Sequence, residues 1–289
     1  MNELDELTTE AGGASDTEYE LRPTVELVEA MHEQDATVAD AVGAVSAEIA
    51  RAIDAIAERL SAGGRLVYVG AGTSGGLAAL DAEECVTTFS AAPGQVIALT
   101  AAGEAGEDDY AAGAEAIHAA DVSRADAVVA LSASGRTPYV VGALEAAADA
   151  GALTVAVVCV EGSELGSRAD ETIAVVVGPE FIAGSTRLKA GTAQKLVLNA
   201  ISTISMIRLG KTFGNLMVDV APGNEKLRAR IQRIVRTATG ASAADVEDAL
   251  EAAGGEAKVA IVSLLGGMDA ETARARLREA NGNVRLALR

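Results

Sequence analysis

The stretch Arg65–Gly76, RLVYVGAGTSGG, decides how the rest of the chain is read. Leu66 to Val69 form a short apolar run without alternation, the pattern of a strand buried on both faces. It passes at once into Gly70-Ala71-Gly72-Thr73-Ser74-Gly75. Glycines let the backbone approach a ligand closely, a helix start presents free N–H groups, and hydroxyls add donors. A strand that ends in such a loop and leads into a helix is half of an α/β ligand site.

Outward from this stretch, similar runs occur at Val96–Leu99, Ala127–Leu131, Leu153–Val160 and Ile173–Val177, with Ala-rich helical segments such as Tyr139–Ala150 between most of them. Strands alternating with helices predict an α/β three-layer sandwich around a five-stranded parallel sheet. Upstream, Val38, Val42, Val45, Ile49, Ile53, Ile56 and Leu60 recur at three- and four-residue intervals. They predict an amphipathic helix of about six turns, stopped by Gly63-Gly64. Downstream, Thr192–Leu209 reads as a long apolar helix. After Gly223 come short helical patterns at Glu225–Thr239, Ser242–Ala253, Lys258–Leu265 and Asp269–Ala280. Ser242 and Asp269 stand where N-caps belong, and Gly240, Gly254 and Gly266-Gly267 where helices stop. The expected division is an α/β domain over 1–222 and a small helical module over 223–289.

The chain has 289 residues, with 42 Asp and Glu against 23 Lys and Arg, so the formal net charge is 23 − 42 = −19. Such a surface repels nucleic-acid phosphates, which excludes DNA and RNA as expected partners. No apolar run approaches the length of a membrane span, and the first ten residues, MNELDELTTE, are the reverse of a signal peptide. A cytoplasmic location follows as the expectation. The acidic excess has no local focus and fits a halophilic surface, hydrated in concentrated salt; ordinary selection for solubility is the alternative. Cys85 and Cys159 cannot make a metal cluster, and His32 and His118 lack metal-ligand spacing.

A second strand–loop–helix follows the first: Leu131 leads into Ser132-Ala133-Ser134-Gly135-Arg136-Thr137-Pro138. Two small, hydroxyl-rich loops on one sheet edge point to an anion, and above all to a phosphate. Gly72, Thr73 and Ser74 are the candidates in the first loop; Ser132, Ser134, Gly135, Arg136 and Thr137 are those in the second. GAGTSG has GxGxxG spacing, but no acidic residue closes a following strand about twenty residues on, and Walker A would need Gly-Lys-Ser/Thr. Neither nucleotide motif is satisfied.

Two hydroxyl-lined loops on a parallel sheet resemble the sugar isomerase (SIS) domain, which binds phosphosugars. Longer segments resemble one branch, the N-acetylmuramic acid 6-phosphate etherases, over nearly the whole chain. These are Leu7–Glu10 (LTTE), Gly64–Gly75, Ser134–Val140 (SGRTPYV), Gly184–Asn199 (GSTRLKAGTAQKLVLN) and Gly214–Asp219 (GNLMVD). The tail resembles that family's three-helix module of ubiquitin-associated (UBA-like) shape. The resemblance implies a metal-free lyase without cofactor, which cleaves the C3 ether of the sugar phosphate to D-lactate and N-acetylglucosamine 6-phosphate. One carboxyl group takes the C2 proton and another protonates the departing oxygen.

The family's acid lies in an Asp-Ala-Ser-Glu-Cys stretch, here Asp81-Ala82-Glu83-Glu84-Cys85, which implies Glu84. Its base lies in a Gly-Ala-Glu-Asp stretch, matched at Ala105-Gly106-Glu107-Asp108, which implies Glu107, with Glu104 as the alternative. Glu180, Ser185 and Lys189 stand near the implied site, Lys189 facing either the phosphate or the lactyl carboxylate. Two segments depart from the family: Gly76-Leu77-Ala78 in place of Arg-Leu-Gly, and Val86-Thr87-Thr88 in place of Pro-Pro-Thr. A homodimer is implied, since the family's sites lie near a dimer interface. A non-catalytic phosphosugar-binding regulator and an aldose–ketose phosphosugar isomerase are the alternative functions.

Overall fold

Leu66, Val67, Tyr68 and Val69 are all fully buried, as their unbroken apolar run requires. They form β1 (Leu66–Gly70) in a computed structural model, which describes residues 18–220 and 225–289. Four more strands follow: β2 (Val96–Thr100), β3 (Ala127–Leu131), β4 (Leu153–Val158) and β5 (Glu171–Ala174). They make one parallel sheet in the order β2-β1-β3-β4-β5. The expected α/β fold with a five-stranded parallel sheet is the fold observed.

Helices cover the sheet. Before β1 come α1 (Thr24–Asp35), α2 (Thr37–Ala44) and α3 (Ser46–Ser61); between strands come α4 (Gly72–Phe89), α5 (Gly103–Glu107), α6 (Tyr110–Ala119), α7 (Pro138–Asp149) and α8 (Glu164–Arg168). Val67, Val69, Val128, Ala130, Ala156 and Val158 share one core with Ile117 of α6 and Val140 and Leu144 of α7. Residues pointing to the other face, such as Leu66, Tyr68, Val129 and Val157, are equally buried. Fully burying a Val or Leu contributes roughly 1.5–3 kcal/mol, so two covered faces hold these short strands without alternation.

The chain leaves β1 for β2 on one side and returns to β3 on the other. This switch opens a crevice at the carboxyl ends of β1 and β3. Gly70 is in register with Thr100 and with Leu131, so three loops emerge side by side there.

The continuous helix expected from Val38 to Leu60 is instead two helices broken at Val45 (φ −106°, ψ 24°). Gly43 precedes the break, and Ser46 Oγ donates to the Gly43 carbonyl at 2.6 Å, a side-chain bond that competes with helical continuation. The apolar run Ile173–Val177 also pairs earlier than expected, over Glu171–Ala174, because β4 sets the register from Val155↔Glu171 to Val158↔Ala174.

By packing, the chain divides into two units: residues up to Glu83 with Gly94–Ser202, and Glu84–Pro93 with Thr203–Arg289. Helices α4 and α9 (Lys189–Arg208) each begin in the first unit and end in the second. The second unit adds a small antiparallel hairpin, β6 (Thr212–Phe213) and β7 (Leu216–Met217), then α10 (Glu225–Thr239), α11 (Ala243–Ala252), α12 (Ala257–Gly266), α13 (Ala270–Glu279) and α14 (Val284–Ala287). Ser242 and Asp269 are N-caps as expected, accepting from the N–H groups of Asp245 and Thr272. Val246, Leu250, Ile261, Ala273 and Val284 belong to its core. The domain boundary expected at 222–223, like the segment Leu7–Glu10, lies outside the described residues.

Candidate functional site

The loop after β1 is shorter than its sequence suggests, because α4 begins at Gly72 and Thr73 and Ser74 occupy its first turn. The N–H groups of a first turn have no helical acceptor, so this end presents free backbone donors. Three successive loop residues each meet a different part of the first unit. Gly72 has φ +51°, and a Cβ built there would lie 2.9 Å from Glu107 Oε1. The Glu107 carboxylate therefore rests directly over Gly72. A Cβ at Gly191 would lie 3.5 Å from Thr73 Cγ2. Ser74 Oγ donates to Gln194 Oε1 at 2.8 Å.

The loop after β3 is organised around a buried hydroxyl. Ser132 is 3 % exposed, and its Oγ accepts from the Gly135 N–H at 3.0 Å. The same oxygen stands 2.9 Å from Thr137 Oγ1 and 3.5 Å from Ser134 Oγ. Ser132 thus shapes the loop, while the half-buried Ser134 and Thr137 carry hydroxyls at its rim. Gly135 has φ +65°, and a Cβ on it would lie 2.4 Å from that of Ser163, so no other residue fits without moving α8. Arg136 is exposed.

The start of α9 is held by a buried carboxylate. Glu180 is 1 % exposed and accepts from the N–H groups of Lys189 at 2.9 Å and Ala190 at 3.0 Å. A carboxylate at a helix N-terminus satisfies unpaired donors and complements the dipole. With both oxygens engaged in this way, Glu180 anchors α9. Lys189 is also buried, and its Nζ donates to the Val177 carbonyl at 2.8 Å, its one described partner. Ser185 is half-buried in the turn before the helix. Cys159 lies beneath, its thiol pushed up to about 12 by burial and by the charge of Glu180, which makes it inert as a nucleophile.

Glu84 is exposed on α4, at the first residue that packs with the second unit. Of the two glutamates, Glu107 is the one brought to the first loop within the first unit. Glu104 is exposed on α5.

The chain is 52 % identical to the N-acetylmuramic acid 6-phosphate etherase of Streptomyces avermitilis, over 99 % of its own length and 94 % of the relative's. The etherase of that name from Rubrobacter xylanophilus is 53 % identical over 99 % and 97 %. The chain belongs to the N-acetylmuramic acid 6-phosphate etherase family. Two domain models also match it: the glucokinase regulatory protein N-terminal SIS domain over residues 48–148, and the SIS domain over 109–204. Among solved structures, a phosphoheptose isomerase from Francisella tularensis aligns with a TM-score of 0.52 at 17 % identity, covering 64 % of this chain and all of that one. At that identity the likeness speaks for the fold alone.

Within this etherase-family fold, sequence reasoning passed over two buried polar positions. Gln194 is 1 % exposed and occupies an apolar stripe of α9 with Ala190, Val197 and Ile201. Asp81 is 2 % exposed on the inward side of α4. It accepts from Tyr68 Oη at 2.9 Å and Ser202 Oγ at 3.2 Å, with Lys195 Nζ at 3.6 Å. In both cases the available signal was a polar residue at helical spacing among apolar ones. Among the described residues no helix is long and apolar enough to cross a membrane.

Proposed function

We propose that the protein cleaves the C3 lactyl ether of N-acetylmuramic acid 6-phosphate, a carbon–oxygen lyase reaction. The Glu107 carboxylate placed over the phosphate-type loop, in a chain that matches etherases from end to end, is the observation that carries this reading. Glu107 takes the proton from C2 while the C3–O bond breaks, and Glu84 delivers a proton to the departing lactate oxygen. Water then adds at C3 of the unsaturated sugar, so substrate and one water yield N-acetylglucosamine 6-phosphate and D-lactate. A base and an acid must be held in opposite protonation states for this to work. Ser74, Ser134 and Thr137 donate hydroxyls to the phosphate, alongside the N–H groups of Gly72 to Ser74 and with Arg136 at the rim. Ser132 and Gly135 give the second loop its shape. The buried Lys189 ammonium answers the second anionic group, the lactyl carboxylate. Glu84 rests on its place in the family's acidic stretch.

The finer features join this reading. The helices after residue 223 are a UBA-like module; the active form is a cytoplasmic homodimer; and the acidic surface is adapted to high salt. Size-exclusion chromatography at two salt concentrations tests the assembly.

Turnover in D2O separates the two glutamates. The wild-type protein is expected to release D-lactate and leave one deuterium at C2 of the product. Glu107→Gln should lose both, by about 10²–10⁴-fold in rate, whereas Glu84→Gln should slow lactate release and retain exchange at C2. Equal loss of exchange in both variants sinks the assignment. The match to the glucokinase regulatory protein domain supports one further reading, a phosphosugar-binding regulator without turnover. Binding of N-acetylglucosamine 6-phosphate with no D-lactate release from the muramyl substrate favours it. The isomerase alternative has only the shared fold behind it.

A further inference from the structure

Ser74 and Gln194 come from different helices, yet Ser74 Oγ stands 2.8 Å from the Gln194 side-chain oxygen. Gln194 is 1 % exposed, and its amide nitrogen has neither solvent nor a hydrogen-bond partner among the described residues. A buried NH2 with two idle protons is costly, more so than a carbonyl with idle lone pairs. The two ends of a glutamine amide have the same shape, so their assignment follows from the hydrogen bonds they make. Turning the amide over places Nε2 against Ser74 Oγ as a donor, so one idle proton remains instead of two and the carbonyl oxygen takes the unpartnered place.

The turn changes what Ser74 offers. With the amide oxygen facing it, the Ser74 proton is committed to Gln194, and only lone pairs face outward. An oxyanion is repelled by lone pairs. With the amide nitrogen facing it, Ser74 Oγ accepts from Gln194 and its own proton points toward the first turn of α4. We infer that Gln194 is a positioning residue, whose amide NH2 donates to Ser74 Oγ and so directs the Ser74 hydroxyl proton to a phosphate held at Gly72–Ser74. This rests on the proposed reading of that loop as a phosphate site and is independent of which bond the enzyme breaks.

The charged groups on the two helices of the pair, and against them, are Glu107 over Gly72, Glu180 and Lys189 at the start of α9, and Asp81 of α4 with Lys195 of α9. All are common to wild type and variants, so a change confined to one variant reports on position 194. The test compares wild type, Gln194→Met and Gln194→Glu by calorimetric titration with N-acetylglucosamine 6-phosphate at pH 5 and pH 8, and by KM and kcat for D-lactate release, with melting temperatures as a check on folding. Gln194→Met should weaken binding about tenfold to a hundredfold and raise KM alike, with kcat little changed, because a hydrogen bond to a charged group is lost. Gln194→Glu should bind at least as weakly at pH 8, where the carboxylate takes the Ser74 proton and repels the phosphate. It should recover most affinity at pH 5, where burial favours the protonated acid and its O–H replaces the amide donor. In a Ser74→Ala background, Gln194→Met should not weaken binding further, whereas Gln194→Glu keeps only the part of its pH 8 loss that comes from direct repulsion.

Wild-type affinity in Gln194→Met, or a Gln194→Glu affinity that follows wild type at both pH values, overturns the inference. Should wild type release D-lactate while the variants are unaffected, the inference fails and the etherase reading stands. A wild type that binds the phosphosugar without turnover, with pH-dependent binding in Gln194→Glu, does the reverse. Wild type that binds no phosphosugar overturns both.

Discussion

Asp81 and Asp126 are both almost wholly buried, yet their carboxyl groups move in opposite directions. Burial pushes Asp81 above the usual carboxylate value, and the bonds from Tyr68 and Ser202 with the nearby Lys195 recover only part of that. Burial pushes on Asp126 too. There the Arg65 guanidinium and the N–H groups of Ser123 and Arg65 outweigh it and hold the carboxyl below 3.8. The linkage signs differ accordingly. Asp126 contributes stability fully above pH 3.8, and loses it as pH falls through its lowered folded value. Asp81 works against the fold increasingly as pH rises from 3.8 toward its raised value. Asp126→Asn should therefore cost about 2 kcal/mol at pH 7 and less at pH 3, while Asp81→Asn should cost less at pH 7 than at pH 4. Urea midpoints at these pH values check both. Little of this was legible in the sequence. Asp126 and Arg65 are partners only because β1 and β3 lie side by side, and Glu107 reaches Gly72 through the same kind of long-range placement.

Among the elements, the central strands were the most legible. β1 and β3 are buried on both faces, so their composition alone marks them. β5 pairs on one side only, and its bounds follow the ladder of β4 rather than its own apolar run. The hairpin β6–β7 was missed, although its Gly214-Asn215 turn is a recognisable signal; strands of two residues are too short to show a period. The packing of α6 on α7 was also hidden. A Cβ on Gly113 of α6 would lie 1.9 Å from the Tyr139 carbonyl oxygen, and one on Gly142 of α7 would lie 2.1 Å from that of Tyr110. Each helix admits the backbone of the other at a glycine, a reciprocity no single-helix pattern contains. Either glycine replaced by alanine should destabilise by about 3 kcal/mol, since backbone rather than a mobile side chain must give way. Thermal melts of Gly113→Ala and Gly142→Ala measure it. A loss within about 0.5 kcal/mol, typical of surface substitutions, refutes so tight an approach.

At the scale of the whole molecule, a net charge of −19 accompanies a site read as binding a sugar with two anionic groups. On that reading the donors at the two loops and the buried Lys189 would act locally, whereas the surface acts through a field that salt screens. Raising KCl from about 0.1 to 1 M shortens the Debye length from roughly 10 to 3 Å, and the melting temperature should rise by roughly 2–4 °C for each kcal/mol of repulsion relieved. A flat or falling melting temperature across that range refutes the expected self-repulsion. The division into two units has a temporal consequence. Glu84–Pro93 leaves the ribosome more than a hundred residues ahead of Thr203, where the remainder of its unit begins. At about 5–20 residues per second, this short segment waits on the order of ten seconds for its companions. The segment therefore waits for the rest of its own unit, an obvious place for a chaperone to engage and for synthesis rate to govern yield.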